Sequence, residues 1–220
     1  MQATPAGPIW TIIVAAGTGS RFGGAVPKQF VEVAGRRIVE WSIAAAAEVS
    51  DGVVVVLPPT GDAPDLMPCE AAEIRTVAGG DTRSASVRAG LEALPDVAEI
   101  VLVHDAARPL ATPELFARVV AAVADGADGV IPVVPVVDTL RHVDGEPVDR
   151  SQLVAVQTPQ GFDHEALRNA HHGGRVSTDD ANLVTAAGGR VVTVPGDRWN
   201  LKVTDPTDDL VAAAVLEGRA

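Results

Sequence analysis

The sequence predicts an α/β fold: a doubly wound, mostly parallel β-sheet with helices on both faces and a projecting β-hairpin arm. Three observations lead there. Short, nearly continuous runs of β-branched residues are bounded by Gly, Pro or Asp, as in strands covered on both faces. Alanine-rich stretches of helical length separate the runs, and repeated strand–helix–strand order gives a parallel sheet. One stretch, Val133 to Val148, breaks that rhythm.

The expected strands are Ile9–Ala15, Val53–Leu57, Ile74–Val77, Ile100–His104, Gly129–Val133 and Val191–Pro195. The expected helices are Ile38–Ala47, Ser84–Leu94, Pro113–Ala124, Asp163–His172, Thr178–Ala187 and Pro206–Leu216. In the second helix Val87, Leu91 and Leu94 recur at helical spacing, with Thr82 or Asp81 as candidate caps. The last opens on Asp205-Pro206, a good cap and first-turn pair. In the irregular stretch, Asp144-Gly145 stands between two β-rich halves, a hairpin signal. A lone arm would expose edges and an apolar face, which a second subunit would cover; the alternative is a hairpin folded back on its own domain. Together these give one Rossmann-like domain over residues 1–220, with an arm at about 134–152 expected to make a homodimer.

Composition narrows the partners. The 220 residues, 47% hydrophobic and 21% charged, are enough to bury roughly 70% of the unfolded surface. With 29 Asp+Glu against 17 Lys+Arg, the net charge is −12, the wrong sign for gripping nucleic-acid phosphates or an anionic membrane. Cys69 is the single cysteine, so an internal disulfide or a multi-cysteine zinc site is impossible; it reads as a small packed or loop residue. No apolar run approaches the roughly 18 residues needed to span a bilayer. The first positive side chain is Arg21, so no secretory n-region is visible, and a soluble cytoplasmic protein is expected.

The chemistry-bearing segments lie where strands end. After the first strand comes Ala15-Ala16-Gly17-Thr18-Gly19-Ser20-Arg21-Phe22-Gly23-Gly24, then Pro27-Lys28. Glycines let backbone N–H groups curl around an anion. The dinucleotide fingerprint fails, because Phe22 holds its third glycine position and Leu57-Pro58 replaces the ribose-binding acid. That disfavours a dehydrogenase. A Walker loop fails too, since Ala25 follows Gly24. What remains is a loop with two cations, Arg21 and Lys28, suited to a triphosphate.

Other segments are ambiguous one at a time. Gly79-Gly80-Asp81-Thr82-Arg83-Ser84-Ala85-Ser86 is an anion or base site, or simply a capped helix start. Asp105, in Val103-His104-Asp105-Ala106-Ala107-Arg108-Pro109, stands at a strand's carboxyl end; it reads as a Mg²⁺ ligand beside phosphates or as a turn residue, with Arg108 balancing charge. Thr178-Asp179-Asp180 opens a helix, where plain capping competes. Lys202 is a lone cation after the last strand. The five histidines show no metal-ligand spacing, and His171-His172 read as a solvated helix end. No G-x-S-x-G elbow is present.

Taken together, AAGTGSRFG, PKQ, GGDTRSASV, VHDAARP, Asp138-Thr139, QTPQ, TDD and NLKVT resemble the 2-C-methyl-D-erythritol 4-phosphate cytidylyltransferases of the non-mevalonate isoprenoid pathway. The blocks run in family order over about residues 14 to 209; Val14 stands where some members have proline. The resemblance implies transfer of a cytidylyl group from CTP to the sugar-alcohol phosphate, with Mg²⁺ and release of pyrophosphate. By matched position, Ala15, Ala16, Gly17, Thr18, Gly19, Gly80, Asp81 and Ser86 would bind CTP. Arg21 and Lys28 would stabilise the pentacoordinate α-phosphate, and Asp105 would hold the metal. Arg150 and Lys202 would position the acceptor phosphate, helped by Arg108, Thr139, Thr158 and Thr178. Asp138, Thr139 and Arg150 would serve the neighbouring subunit's site through the arm. The rivals are a cytidylyltransferase for another polyol phosphate, such as ribitol 5-phosphate, and a catalytically silent nucleotide-binding homologue. Intact Arg21, Lys28, Asp105 and Lys202 speak against the silent one.

Overall fold

The structure is a computed structural model that describes residues 7–17, 26–59, 66–67 and 71–219. Cys69, Thr18, Gly19 and Arg21, discussed above, lie outside the described residues. The strands are β1 (Ile9–Val14), β2 (Glu32–Val33), β3 (Arg36–Arg37), β4 (Gly52–Leu57), β5 (Glu73–Ala78), β6 (Ile100–Asp105), β7 (Gly129–Pro135), β8 (Leu140–Arg141), β9 (Pro147–Val148), β10 (Val154–Val156), β11 (Gln160–Asp163) and β12 (Val191–Pro195). The helices are α1 (Ile38–Ala47), α2 (Arg83–Glu92), α3 (Pro113–Ala124), α4 (His164–His171), α5 (Asp180–Ala186) and α6 (Pro206–Glu217).

The main sheet runs β5–β4–β1–β6–β11–β7. Gly129 of β7 pairs both Phe162 of β11 and Val191 of β12, so β12 closes the far edge. Val133 of β7 pairs both Val156 and Pro195, which puts β10 on the same side of β7 as β11. All these pairings are parallel except those made by β10 and β11. The sequence expectation of a mostly parallel, doubly wound sheet holds.

Alternation along the central strands builds a core on each face. Ile13, Val53 and Val55 point to a cluster with Val39 and Ile43 of α1 and Phe116 and Val119 of α3. Ile12, Val54 and Val56 point the other way, to Val87 of α2, Leu167 of α4 and Val184 of α5. Period-two burial on both faces is why the strands read as unbroken apolar runs. A third cluster packs Ala212 and Leu216 of α6 against Val33, Ile38, Leu110 and Val203.

Thr82, not Asp81, caps α2: its Oγ1 accepts from Ala85 N at 3.1 Å. Asp205 caps α6 by accepting from Thr207 N and Asp208 N, with Pro206 in the first turn. The arm hairpin pairs Leu140 with Val148 and Arg141 with Pro147. Its tip is longer than a two-residue turn: His142 N donates to Glu146 O at 2.8 Å, enclosing Val143, Asp144 and Gly145. Gly145 takes φ +99°, the left-handed position that a three-residue hairpin loop requires.

The order reverses between β1 and β6. From β1 the sheet grows through β4 and β5 in one direction, and through β6 in the other. Val14 and Asp105 are register partners at the carboxyl ends of these two strands. Open α/β sheets place their ligand crevice at such a reversal.

Candidate active site

A cleft of about 540 Å³ opens over those strand ends, bordered by Ala15–Gly17, Lys28, Gly80–Arg83, Ser86, Asp105 and Lys202. Each wall has a local cause. Gln29 is buried, and its Nε2 donates to Ala15 O at 2.6 Å and Gly17 O at 3.0 Å, pinning the start of the glycine-rich loop. A side chain at Gly79 would put a Cβ 2.5 Å from the Ala16 Cβ, so only glycine lets this loop meet the first one. Ser86 Oγ accepts from Gly80 N at 3.2 Å and closes the turn into α2.

Asp105 is the hub of the opposite wall. Lys202 Nζ donates to its Oδ2 at 2.6 Å, and Arg83 Nε lies 3.6 Å from its Oδ1. Lys202 arrives there because the next residue, Val203, is buried in the α6 cluster and hydrogen bonds Ala107 O at 2.8 Å. In extended chain, a buried neighbour turns Lys202 outward, over the cleft. Lys28 Nζ donates to Val203 O at 2.8 Å, so the two lysines share one stretch of backbone. Burial alone would raise the Asp105 pKa; the charges of Lys202, Arg83 and Arg108 outweigh it and hold the carboxyl well below its usual range. Asp105 is therefore an ionised, hard oxygen donor at physiological pH.

Behind Asp105 runs a chain of hydrogen bonds through the buried side chains of His104 and Thr158. His104 Nε2 faces Arg108 O at 3.3 Å, which only accepts, so that nitrogen carries the proton. His104 Nδ1 then accepts from Thr158 Oγ1 at 3.1 Å, and Thr158 Oγ1 accepts from Asp105 N at 3.0 Å. Burial above all, reinforced by Arg108 and Lys202 and opposed by Asp105, lowers the His104 pKa from 6.5 to about 4. The unfolded chain thus takes up this proton first, so the stability from neutral His104 is complete above about pH 6.5 and lost as pH falls toward 4. Replacing His104 by Gln is expected to shrink the stability difference between pH 7.5 and pH 5 by about 1–2 kcal/mol. Urea unfolding at the two pH values checks this; an equal difference in both proteins would refute it.

The expected site residues separate into groups. Ala15, Ala16, Gly17, Gly80, Asp81, Ser86, Lys28, Asp105 and Lys202 are brought together at the cleft. Thr158 lies behind it, buried, its one hydroxyl proton used on His104. Arg108 is turned aside, donating to Asn200 O at 2.8 Å and Val156 O at 3.4 Å. Thr178 is exposed, in the loop just before α5. Asp138, Thr139 and Arg150 are exposed on the arm side, where Arg150 donates to Val137 O and borders a second, apolar cavity of about 870 Å³. His171 corrects the expectation of a solvated helix end: it is buried against Asp180, and only His172 is exposed. Arg83, Asp180 and Gln29 were missed as functional candidates. Their partners are fixed only by the fold, although the residues stand inside or beside the quoted motifs.

The whole-chain comparisons agree with one family. The model of the family "IspD: 2-C-methyl-D-erythritol 4-phosphate cytidylyltransferase" matches residues 9–218. The chain belongs to this family. A cytidylyltransferase of that name from Rhodococcus opacus is 43% identical, with 96% of each chain covered. A "Bifunctional enzyme IspD/IspF" from Solidesulfovibrio magneticus is 44% identical over 91% of this chain, which spans only 55% of that protein. The crystal structure of the cytidylyltransferase from Thermus thermophilus superposes with a TM-score of 0.78 at 37% identity, covering 94% of this chain and 98% of that one. As a cytidylyltransferase-family fold, the chain keeps its family's mostly parallel sheet. Among its described residues no helix is long and apolar enough to cross a membrane.

Proposed function

We propose that this chain transfers the cytidylyl group of CTP to 2-C-methyl-D-erythritol 4-phosphate, giving CDP-methylerythritol and pyrophosphate. The observation that carries the reading is the Asp105 hub: an ionised carboxylate at the strand-order reversal, with Lys202 on it and Lys28 one backbone link away. An acceptor phosphate oxygen forms a bond to the α-phosphorus as the bridge to the β-phosphate breaks, and the electron pair leaves with pyrophosphate. The attacking phosphate is already deprotonated, so no general base is needed, and catalysis reduces to positioning and charge neutralisation.

Placement at the cleft supports the following roles. The Ala15–Gly17 loop with Gly80, Asp81 and Ser86 takes the nucleotide, Lys28 meets the α-phosphate, and Lys202 turns from Asp105 to the acceptor phosphate. Arg21 is assigned to the α-phosphate with Lys28 on the family resemblance alone. Among the described residues no group of three or more His, Cys, Asp or Glu forms a metal cluster. A lone hard carboxylate suits magnesium, which takes one or two protein carboxylates beside phosphate oxygens and waters. Asp105 would hold it, and when bound it supplies further neutralisation of the triphosphate.

A second copy of this chain is the partner proposed for the arm. Val137, Val143, Leu153 and Val154 are exposed around it, and among the described residues β10 leaves an unpaired edge beside the apolar cavity that Arg150 borders. Pairing there would carry Asp138, Thr139 and Arg150 to a neighbour's cleft. The test of function is pyrophosphate release from CTP and Mg²⁺: release only when methylerythritol phosphate is present supports it. Release without acceptor, or none at all, contradicts it.

A further inference from the structure

Arg83 is shared between two carboxylates. Its Nη1 donates to Asp180 Oδ2 at 2.5 Å, while its Nε faces Asp105 Oδ1. Asp180 opens α5 and is 1% exposed; its other oxygen meets His171 Nε2 at 3.0 Å. A carboxylate only accepts, so His171 donates from Nε2. Its Nδ1 is buried and has no hydrogen-bond partner among the described residues. The frame around this pair is stapled: Ser84 Oγ donates to Ser177 O at 2.9 Å and accepts from Ser177 N at 3.0 Å. Arg88 Nη1 also donates to Arg175 O at 3.0 Å. Asp180 is thereby fixed relative to the start of α2, which carries Arg83.

On the cleft side the two cations on Asp105 differ. The Lys202 side chain is 43% exposed on a flexible stem; that of Arg83 is 23% exposed and held from behind. Lys202 sits on Oδ2 and Arg83 faces Oδ1. We propose that His171 and Asp180 are positioning residues: by anchoring the Arg83 guanidinium they keep it on Oδ1 and leave Oδ2 alone to exchange between Lys202 and a magnesium–nucleotide. The proposal rests on the cytidylyltransferase reading for the identity of that nucleotide. A guanidinium freed from its anchor would settle across both carboxylate oxygens, the forked pairing that arginine favours, and a metal would have to displace it.

Calorimetric CTP binding by the full chain, with Mg²⁺ titrated in, reads this without turnover. Asp180→Asn is expected to raise the half-saturating Mg²⁺ about fivefold or more, leaving metal-free CTP affinity within about twofold. In Asp180→Asn with Arg83→Gln no guanidinium remains to collapse, so the Mg²⁺ requirement returns to the wild-type value or lower. A purely structural role for Asp180 would not give that rescue. His171→Leu loosens the anchor and shifts the requirement the same way by a smaller factor; it decides the matter if Asp180→Asn fails to fold by circular dichroism. An unchanged requirement in the folded single variant, or a double variant as impaired as the single, overturns the proposal. A wild-type chain that binds CTP with Mg²⁺ yet forms no nucleotide product would sink the functional reading and leave this one to the binding data. One that binds no CTP overturns both.

Discussion

Lys28→Ala is expected to lower kcat by about two orders of magnitude or more, with a much smaller change in CTP affinity, as loss of a transition-state donor does. On the proposed reading the ground-state triphosphate would have many donors, the backbone N–H groups of two loops among them. The pentacoordinate α-phosphorus gathers charge that only groups close to it can offset, and Lys28 is held at the cleft floor through Val203 O. The same hydrogen bond links Lys28 to the backbone that aims Lys202, so part of the loss comes from the second lysine. Lys28→Arg keeps the charge but not the point geometry and should fall between the two. Steady-state kinetics with calorimetric CTP binding separates these outcomes. Unchanged kcat in Lys28→Ala would remove the lysine from the mechanism.

Mixing two inactive proteins should restore activity. Arg150 borders the arm cavity, exposed, and none of the hydrogen bonds or ion pairs described at Asp105 includes it. If a second copy receives it, an Arg150→Ala protomer damages its neighbour's site, whereas Lys28→Ala damages its own. Each variant alone should then have under about 1% of wild-type turnover. After subunit exchange, half the dimers are mixed and each mixed dimer has one intact site, so activity should climb to about a quarter of wild type. Coupled pyrophosphate assays on co-refolded or co-expressed chains read this. Activity that stays at the level of the separate variants would place Arg150 in its own subunit's site, or outside any site.

Legibility followed the range of the forces involved. The bounds of α1 and α3 read directly from sequence because local signals set them: an alanine-rich run fills α1, and α3 opens on Pro113 and carries one apolar face. Strand β11 (QGFD) escaped notice: it has no β-branched run, and it is a strand only because β6 and β7 flank it. At the site, Asp105 and Lys202 were legible from strand ends and motif text. Their contact spans 97 positions and no spacing rule reports it. Arg83 reads as one more helix-start residue until α5 brings Asp180 beneath it, and His171 looks solvated until the same helix covers it. Thr158 likewise makes a contact that its motif does not report: packing turns its hydroxyl toward His104.

The most direct measurement offers CTP and Mg²⁺ with equimolar 2-C-methyl-D-erythritol 4-phosphate and ribitol 5-phosphate, and resolves the nucleotide products by mass. CDP-methylerythritol is expected to form almost alone, in step with pyrophosphate. CDP-ribitol as the main product would keep the CTP cleft and overturn the acceptor; pyrophosphate with free CMP and no conjugate would contradict the transfer itself.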